Sequence, residues 1–249
     1  MVAYLKYAPS GFPGNISRPG AGNNTIEPVL LGSPAPQVFG APVKISSNKA
    51  IPFAGGEVPS NFYGILVQST PAEGGGLTNA NFTDTIPNPN NVQQVLVSGY
   101  ASVICTVGTP VRGGQVYART VTNGSKAIGD LEATADITGA GTAGTNTGNG
   151  TISAITAAPP AQQGTYQVVF TAATKFGVFD PSGSEMLNGS TGVAYSDKGI
   201  GFTITAGGTA FVAGDTFNIA VSQNNIALPG VTWAAAGVDA NNIAELRIK

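Results

Sequence analysis

Three short segments in the second half of the chain decide the fold. They are GTYQVVF (164–170), GIGFTIT (199–205) and GDTFNIAVS (214–222). In the last segment Phe217, Ile219 and Val221 alternate with polar or small residues, and the other two segments have the same period. A period of two is typical of antiparallel strands with one buried face. One or more aromatic side chains per strand would then supply much of a small core.

The first half of the chain also consists of short apolar runs between turn residues. The runs are IEPVLL (26–31), FYGILVQS (62–69), QQVLVSGYASVICTV (93–107) and QVYARTV (115–121). We interpret the longest run as two strands that meet at Ser98-Gly99. Cys105, in its second half, is predicted to be a buried small apolar side chain rather than a reactive thiol.

Composition divides the chain into three parts. Residues 138–150, TGAGTAGTNTGNG, have almost no side chain to bury and are predicted to be a linker. Two further strands are predicted after Pro229-Gly230, and the last of them needs a partner from the first half. The predicted parts are an extended N-terminal arm (1–24), a β body domain (25–137 plus 229–249) and an inserted β module (138–228). The predicted fold is thus all-β, with an antiparallel sandwich or barrel body and a small inserted sandwich.

The N-terminal arm can form neither a helix nor a long central strand. It contains Pro9, Pro13 and Pro19 together with four glycines, and such residues interrupt both structures. It is also more apolar than a typical solvated tail. Two interpretations stay open: a mobile tail, or an arm that packs on its own body or on a neighbouring subunit.

Composition and charge exclude several classes of function. Charged residues make up 10% of the chain, against about 25% in ordinary soluble domains. The chain has no histidine and one cysteine, which excludes a Ser-His-Asp triad, an imidazole metal site and an intramolecular disulfide. The net charge of −2, with no basic tract, argues against a sequence-wide attraction to nucleic acid. We also predict no signal peptide, no membrane association and synthesis in a cytoplasm.

We interpret the few acidic residues as structural rather than catalytic. Asp130 and Glu132 lie two residues apart, and we interpret them as part of a solvated strand face or turn. Asp180-Pro-Ser-Gly begins like a calcium loop but lacks the terminal glutamate, and we interpret it as a turn. We therefore predict no catalytic residue, no metal, no cofactor and no enzyme activity. Arg18 lies in the apolar arm, where its guanidinium could pair bidentately with a carboxylate on another chain.

The sequence resembles the structural cement, or head decoration, proteins of tailed bacteriophages. The stretches that carry this resemblance are GFPGNISRPG (11–20), VFGAPVK (38–44), FYGILV (62–67), GGQVYART with AIGDLEA (113–133), the β pattern at 164–221 and IAELRIK (243–249). The β pattern resembles a module found in several phage virion proteins, so it is specific to virions but not to one part of them.

The resemblance implies a protein on the outer surface of the phage head, made in the cytoplasm of the host bacterium. It would bind the assembled icosahedral shell and stabilise it by clamping neighbouring subunits of the major capsid protein. It would also form a homo-oligomer, a trimer rather than a dimer. The predicted capsid contacts lie in the arm; they are Tyr4, Tyr7, Phe12, Ile16 and Arg18.

Three other interpretations of the sequence stay open. A tail-fibre or receptor-binding module would fit the β unit at 151–222, but fibres favour internal repeats, which this sequence lacks. A cell-surface adhesin is disfavoured because no signal peptide is recognised. A glycan-cleaving enzyme on a β scaffold would need carboxylates that converge in a cleft, which sequence alone does not reveal.

Overall fold

The fold is all-β, as the sequence predicts. The computed structural model describes residues 11–18, 24–68, 87 and 89–249, and within those residues it contains strands and one 3-10 turn, Pro59–Asn61, but no α-helix. The strands are β1 (Thr25–Leu30), β2 (Pro42–Ser46), β3 (Lys49–Pro52), β4 (Gly64–Val67), β5 (Val92–Val107), β6 (Gln115–Arg119), β7 (Leu131–Glu132), β8 (Ile137–Ala143), β9 (Thr151–Ala157), β10 (Gly164–Ala172), β11 (Lys175–Phe179), β12 (Gly189–Ser190), β13 (Ala194–Asp197), β14 (Ile200–Thr205), β15 (Thr216–Gln223), β16 (Asn225–Trp233) and β17 (Ile243–Ile248).

The chain divides into two compact units. The body unit consists of Met1–Thr134 and Asn225–Lys249, and the insert unit is the continuous segment Ala135–Asn224. Each unit has its own apolar core. The two are described separately below.

Five strands of the body unit form a closed ring of pairings. In order these strands are β5, β7, β6, β16 and β17, and β17 pairs again with β5. All pairings in the ring are antiparallel except that of β5 with β7. The inward residues, which include Trp233, Leu246 and Val103, are fully or almost fully buried. The ring is a small barrel whose wall positions the candidate site described below.

Strand β5 is one continuous strand of 16 residues, so the prediction of two strands at Ser98-Gly99 is wrong. Gly99 has a φ of +126°, and a Cβ there would lie 2.1 Å from Asn24 Oδ1. The backbone bends at this glycine without reversing. Residues before it pair with β1 and β4, whereas those after it pair with β17. The sequence signal thus marks a change of partner and not a turn.

The first half of β5 lies between β1 and β4, and the sheet continues through β2 to β3. Both faces of this region are covered. Leu66 and Val95 belong to one buried cluster, while Ile65 and Leu96 belong to the barrel core. This double burial explains why GILV in β4 is apolar at every position rather than at alternate ones.

The insert unit consists of a five-stranded sheet, β12-β11-β10-β15-β8, and a three-stranded sheet, β13-β14-β9. Alternate residues of β10, β14 and β15 are buried. The period of two in the segments 164–170, 199–205 and 214–222 predicts this burial. Aromatic rings fill the core: Phe170 stacks on Phe211 at 4.0 Å and Tyr195 on Phe202 at 4.7 Å between centroids. Such ring pairs add about 0.5–1.5 kcal/mol each beyond the area they bury.

The predicted linker at 138–150 is in large part a strand. Its first half forms most of β8, which pairs with β15 from Ile137 to Ala143. A Cβ at Gly139 would lie 2.7 Å from the side chain of Ile155, and one at Gly141 would lie 2.5 Å from the same side chain. The glycines therefore let β8 pack closely on β9, and they do not mark a flexible connection.

Candidate interaction site

The N-terminal segment Gly11–Arg18 lies along the second half of β5. Gly14 N donates to Ser102 O and Ser102 N donates to Asn15 O, both at 2.8 Å, and Ser17 N donates to Tyr100 O at 3.2 Å. On the other side Gln68 N donates to Gly14 O at 2.9 Å. Backbone hydrogen bonds therefore hold this part of the arm on its own body unit.

Arg18 ends this segment in a bidentate ion pair within the same chain. Its Nε and Nη2 donate to the two carboxylate oxygens of Glu245 at 2.9 and 2.6 Å, and Ser17 Oγ donates to Glu245 Oε1 at 2.6 Å. The guanidinium also lies over the ring of Tyr100, 4.3 Å from its centroid. The sequence predicts a bidentate carboxylate partner on another chain, but here that carboxylate is Glu245 of β17.

The ion pair fixes the charge of Glu245. Burial disfavours the carboxylate form, but the hydrogen bonds from Arg18 and Ser17 and the positive charge of Arg112 outweigh this and hold the pKa of Glu245 below its ordinary value. Glu245 is therefore ionised at neutral pH and holds Arg18 in place.

A groove of about 200 Å³ opens beside this pair on the body unit. Its lining includes Arg18, Tyr100, Arg112, Trp233, Arg247 and Lys249. Three of the four arginines of the chain thus line one groove. We call it the arginine groove.

The loop that carries Arg112 is fixed by backbone hydrogen bonds to the end of β16, which carries Trp233. Gly113 N donates to Trp233 O and Trp233 N donates to Gly114 O, at 2.7 and 2.9 Å. Arg247 enters from β17, where it pairs across the strand with Tyr100, and its guanidinium carbon lies 5.6 Å from the Tyr100 ring centroid. The groove is therefore built on strands and tight loops.

The arginine groove has more cationic side chains than carboxylates. Glu245 pairs with Arg18, and in the part of the chain that the structure describes no carboxylate lies within 4 Å of Arg112, Arg247 or Lys249. These three side chains are exposed. The groove can therefore accept a further anion.

The predicted contact residues have different positions. Tyr4 and Tyr7 lie outside the described residues. Ile16 packs against the barrel core and forms a bridge with Ala101, so it anchors the segment to its own body. Phe12 remains 46% exposed, and the Arg18 side chain remains 44% exposed.

The prediction that Glu132 lies on a solvated face or turn is wrong. Glu132 is fully buried in β7 and accepts hydrogen bonds from Arg119 Nε at 2.6 Å and Nη2 at 3.1 Å. Asn225 Nδ2 donates to the same carboxylate at 2.5 Å and to Thr134 O at 2.8 Å. The fourth arginine is thus used inside the body unit, and its partner is too far along the chain for a local pattern to reveal it.

Other candidate groups are structural. Cys105 is buried as predicted, and burial raises the pKa of its thiol. Asp180 Oδ1 accepts hydrogen bonds from Ser182 N and Ser184 N, which makes the predicted turn. Among the described residues no cluster of three or more histidine, cysteine, aspartate or glutamate side chains could hold a metal ion. Nor is there, in those same ranges, a helix of sufficient length and apolarity to cross a membrane.

Among solved structures, two crystal structures of FlgL from Xanthomonas campestris share a low similarity with the chain. One is 20% identical over 59% of this chain and 45% of that chain, with a TM-score of 0.29. The other is 17% identical over 66% of this chain and 49% of that chain, with a TM-score of 0.28. The chain thus spans about half the length of these structures. No curated protein matches it.

The body unit is thus a β barrel that carries a cationic groove on its surface. A family model described as XM1 gp53 minor capsid protein matches residues 1–159, well over half of the 249 residues. The chain belongs to this family. It is therefore a structural protein of a phage capsid and part of the virion. The matched region contains the arm, strands β1 to β9 and Arg112, whereas Arg247 and Lys249 lie outside it.

Proposed function

We propose that the chain is a decoration, or cement, protein that binds the outer surface of the assembled phage head and clamps neighbouring subunits of the major capsid protein. The observation that carries this proposal is the arginine groove, which is built on strands and tight loops, is exposed on a protein of a capsid family and has more cations than carboxylates. Arg18 and Arg247 lie over the ring of Tyr100 and are preorganised, so less entropy is lost when a partner binds.

The exposed residues around the arm extend the proposed contact. Phe12 and Arg18 are exposed on the segment that lies along β5. We propose that they contact the capsid together with Tyr4 and Tyr7, while Ile16 fixes the segment to the body. An apolar and aromatic contact beside a charged one is the usual composition of a protein interface.

Linkage explains how such binding would stabilise a head. A protein that binds the assembled shell and not its free subunits shifts the equilibrium toward the shell. A homo-oligomer, for which we propose a trimer, would hold several capsid subunits at once and gain effective concentration without new kinds of contact. Each single contact can then be modest.

Co-sedimentation with purified, expanded empty heads tests the proposal. We expect the full chain to pellet with heads to saturation, and a variant that lacks residues 1–22 to remain folded but to lose most of its binding. A control deletion is unnecessary, because circular dichroism of the truncated chain reports whether the β fold is kept. If the full chain does not bind heads, the decoration function is refuted. If the truncated chain binds as well as the full chain, the arm is not a contact.

A tail-fibre or receptor-binding role is the second candidate. The aromatic-filled insert unit favours it, because such compact β sandwiches are also suited to display on an extended fibre. The same sedimentation assay separates the two roles, since a fibre module would not bind empty heads that lack tails.

A further inference from the structure

The arginine groove has the geometry of a carboxylate receptor. Arg18 already binds the carboxylate of Glu245 in the bidentate mode, at 2.9 and 2.6 Å, at the edge of the groove. Arg112 and Arg247 line the same groove, and no carboxylate among the described residues lies within 4 Å of either side chain. A planar guanidinium presents paired donors that match the two oxygens of a carboxylate.

The surroundings of the groove favour a protein partner over a nucleic acid. The whole chain has a net charge of −2, and the groove has a volume of only about 200 Å³. Binding of a nucleic acid depends on many phosphates along an extended basic surface, whereas this groove offers four cations at one place. A short acidic segment matches it in size and in charge.

Exposed valines in the loop of Arg112 and in the loop next to it add to this argument. Val111 precedes Arg112 and is 66% exposed. Val238 is 40% exposed and lies in a loop whose Gly237 N donates to Pro110 O at 2.8 Å, so the loops of the two valines are in contact. A charged centre with exposed apolar neighbours is suited to a peptide that carries both acidic and apolar side chains.

We propose that the arginine groove binds an acidic segment of the capsid protein on which the chain is mounted, with carboxylates of that segment paired to Arg112 and Arg247. This inference rests on the proposed function and adds the chemistry of the partner. The segment is identified by its exposed aspartate or glutamate side chains next to apolar residues.

Titration of the full, isotope-labelled chain with a hexaglutamate peptide tests the groove directly. We expect saturable shifts of backbone amide signals at Gly113 and Thr232, which line the groove. The variant Arg112→Gln with Arg247→Gln should bind the peptide about tenfold more weakly or worse, since tenfold corresponds to about 1.4 kcal/mol. The matched control is Lys175→Gln with Lys198→Gln, which removes the same charge from exposed positions of the insert unit and should bind as the unaltered chain does.

Each of the following outcomes of the titration would overturn the proposal. Failure of hexaglutamate to shift these signals, or equal binding by the groove variant, overturns the proposal. Tighter binding of a hexathymidine oligonucleotide than of hexaglutamate overturns it in favour of a phosphate ligand. A concentration-dependent self-association that the groove variant abolishes overturns it in favour of a second copy of this chain.

Head binding separates this inference from the proposed function. If the unaltered chain and the control variant pellet with heads and the groove variant is about tenfold weaker or worse, both proposals are supported. If all three pellet equally, the groove proposal fails and the decoration function stands. If the unaltered chain does not pellet, the decoration function fails, and with it the assignment of the partner to the capsid.

Discussion

Replacing Glu132 by glutamine should destabilise the body unit more than almost any other single change of equal volume. The carboxylate is fully buried and accepts three hydrogen bonds, two from Arg119 and one from Asn225. Glutamine has no charge and only one acceptor oxygen, so the buried guanidinium of Arg119 would lose the charged, bidentate partner that Glu132 provides.

The expected loss follows from breaking this buried ion pair. Removing one partner of a buried ion pair costs about 3–5 kcal/mol, because the remaining ion keeps its desolvation penalty. For a chain of this length a loss of 1 kcal/mol lowers the melting temperature by about 2–4 °C. The melting transition of the body unit should therefore fall by roughly 6–20 °C.

Chemical and thermal denaturation of the full chain measure this effect. The matched control is the double variant Arg119→Met with Glu132→Leu, which removes both charges and keeps an apolar volume. In that variant Asn225 Nδ2 still has Thr134 O as an acceptor. We expect the double variant to regain most of the lost stability. A loss below about 1 kcal/mol for Glu132→Gln would refute a dominant contribution of the buried Arg119–Glu132 ion pair.

Three further predictions concern other parts of the chain. Because the Arg18 side chain is partly exposed, Glu245→Gln should lower the free energy of unfolding by only about 1 kcal/mol. The same variant should speed hydrogen exchange at the Ser17 amide, which a mass-spectrometric exchange experiment would detect. Unchanged exchange would contradict the anchoring role of the Arg18–Glu245 ion pair. Burial opposes ionisation of Asp215, yet three backbone N–H donors hold the pKa of its carboxyl below the ordinary value. The stabilisation that the ionised carboxylate provides is complete above the unfolded-state pKa and is lost as the pH falls below about 4. The variant Asp215→Asn should therefore be less stable than the unaltered chain at pH 7 and should lose less stability on acidification. The insert unit Ala135–Asn224, expressed alone, should give a dispersed amide NMR spectrum; a narrow spectrum would contradict an independently folding insert.

Strand type was predictable wherever one face of a strand is buried. Tyr166, Phe202 and Phe217 lie at alternate positions of their segments and are buried in the insert core. The period of two follows directly from the geometry of the strand, so it is visible in the sequence without knowledge of the partner strands.

Pairing was not predictable, because it depends on residues far apart in the chain. Nothing near Gly99 indicates that β5 continues through it to pair with β17, which begins at Ile243. Likewise Gly139 and Gly141 read as a flexible linker until Ile155 is placed against them. Glycine signals both freedom and close approach, and only the neighbouring strand decides which of the two applies.

The candidate site was predictable in part. Because the chain has only four arginines, the sequence directs attention to Arg18; it does make a bidentate pair, but within its own chain and not with another chain as predicted. Its partner Glu245 and the neighbouring Arg247 could not be found, because they meet Arg18 only when β17 pairs with β5. Charged side chains from distant strands have no shared local pattern, so the groove emerges only from the fold.

An electron cryomicroscopy comparison of virions with and without this chain tests the central claim most directly. A decoration function predicts difference density on the outer surface of the head, in contact with at least two subunits of the major capsid protein, with the body unit against the shell. Density confined to the tail or to the inside of the head would contradict that function.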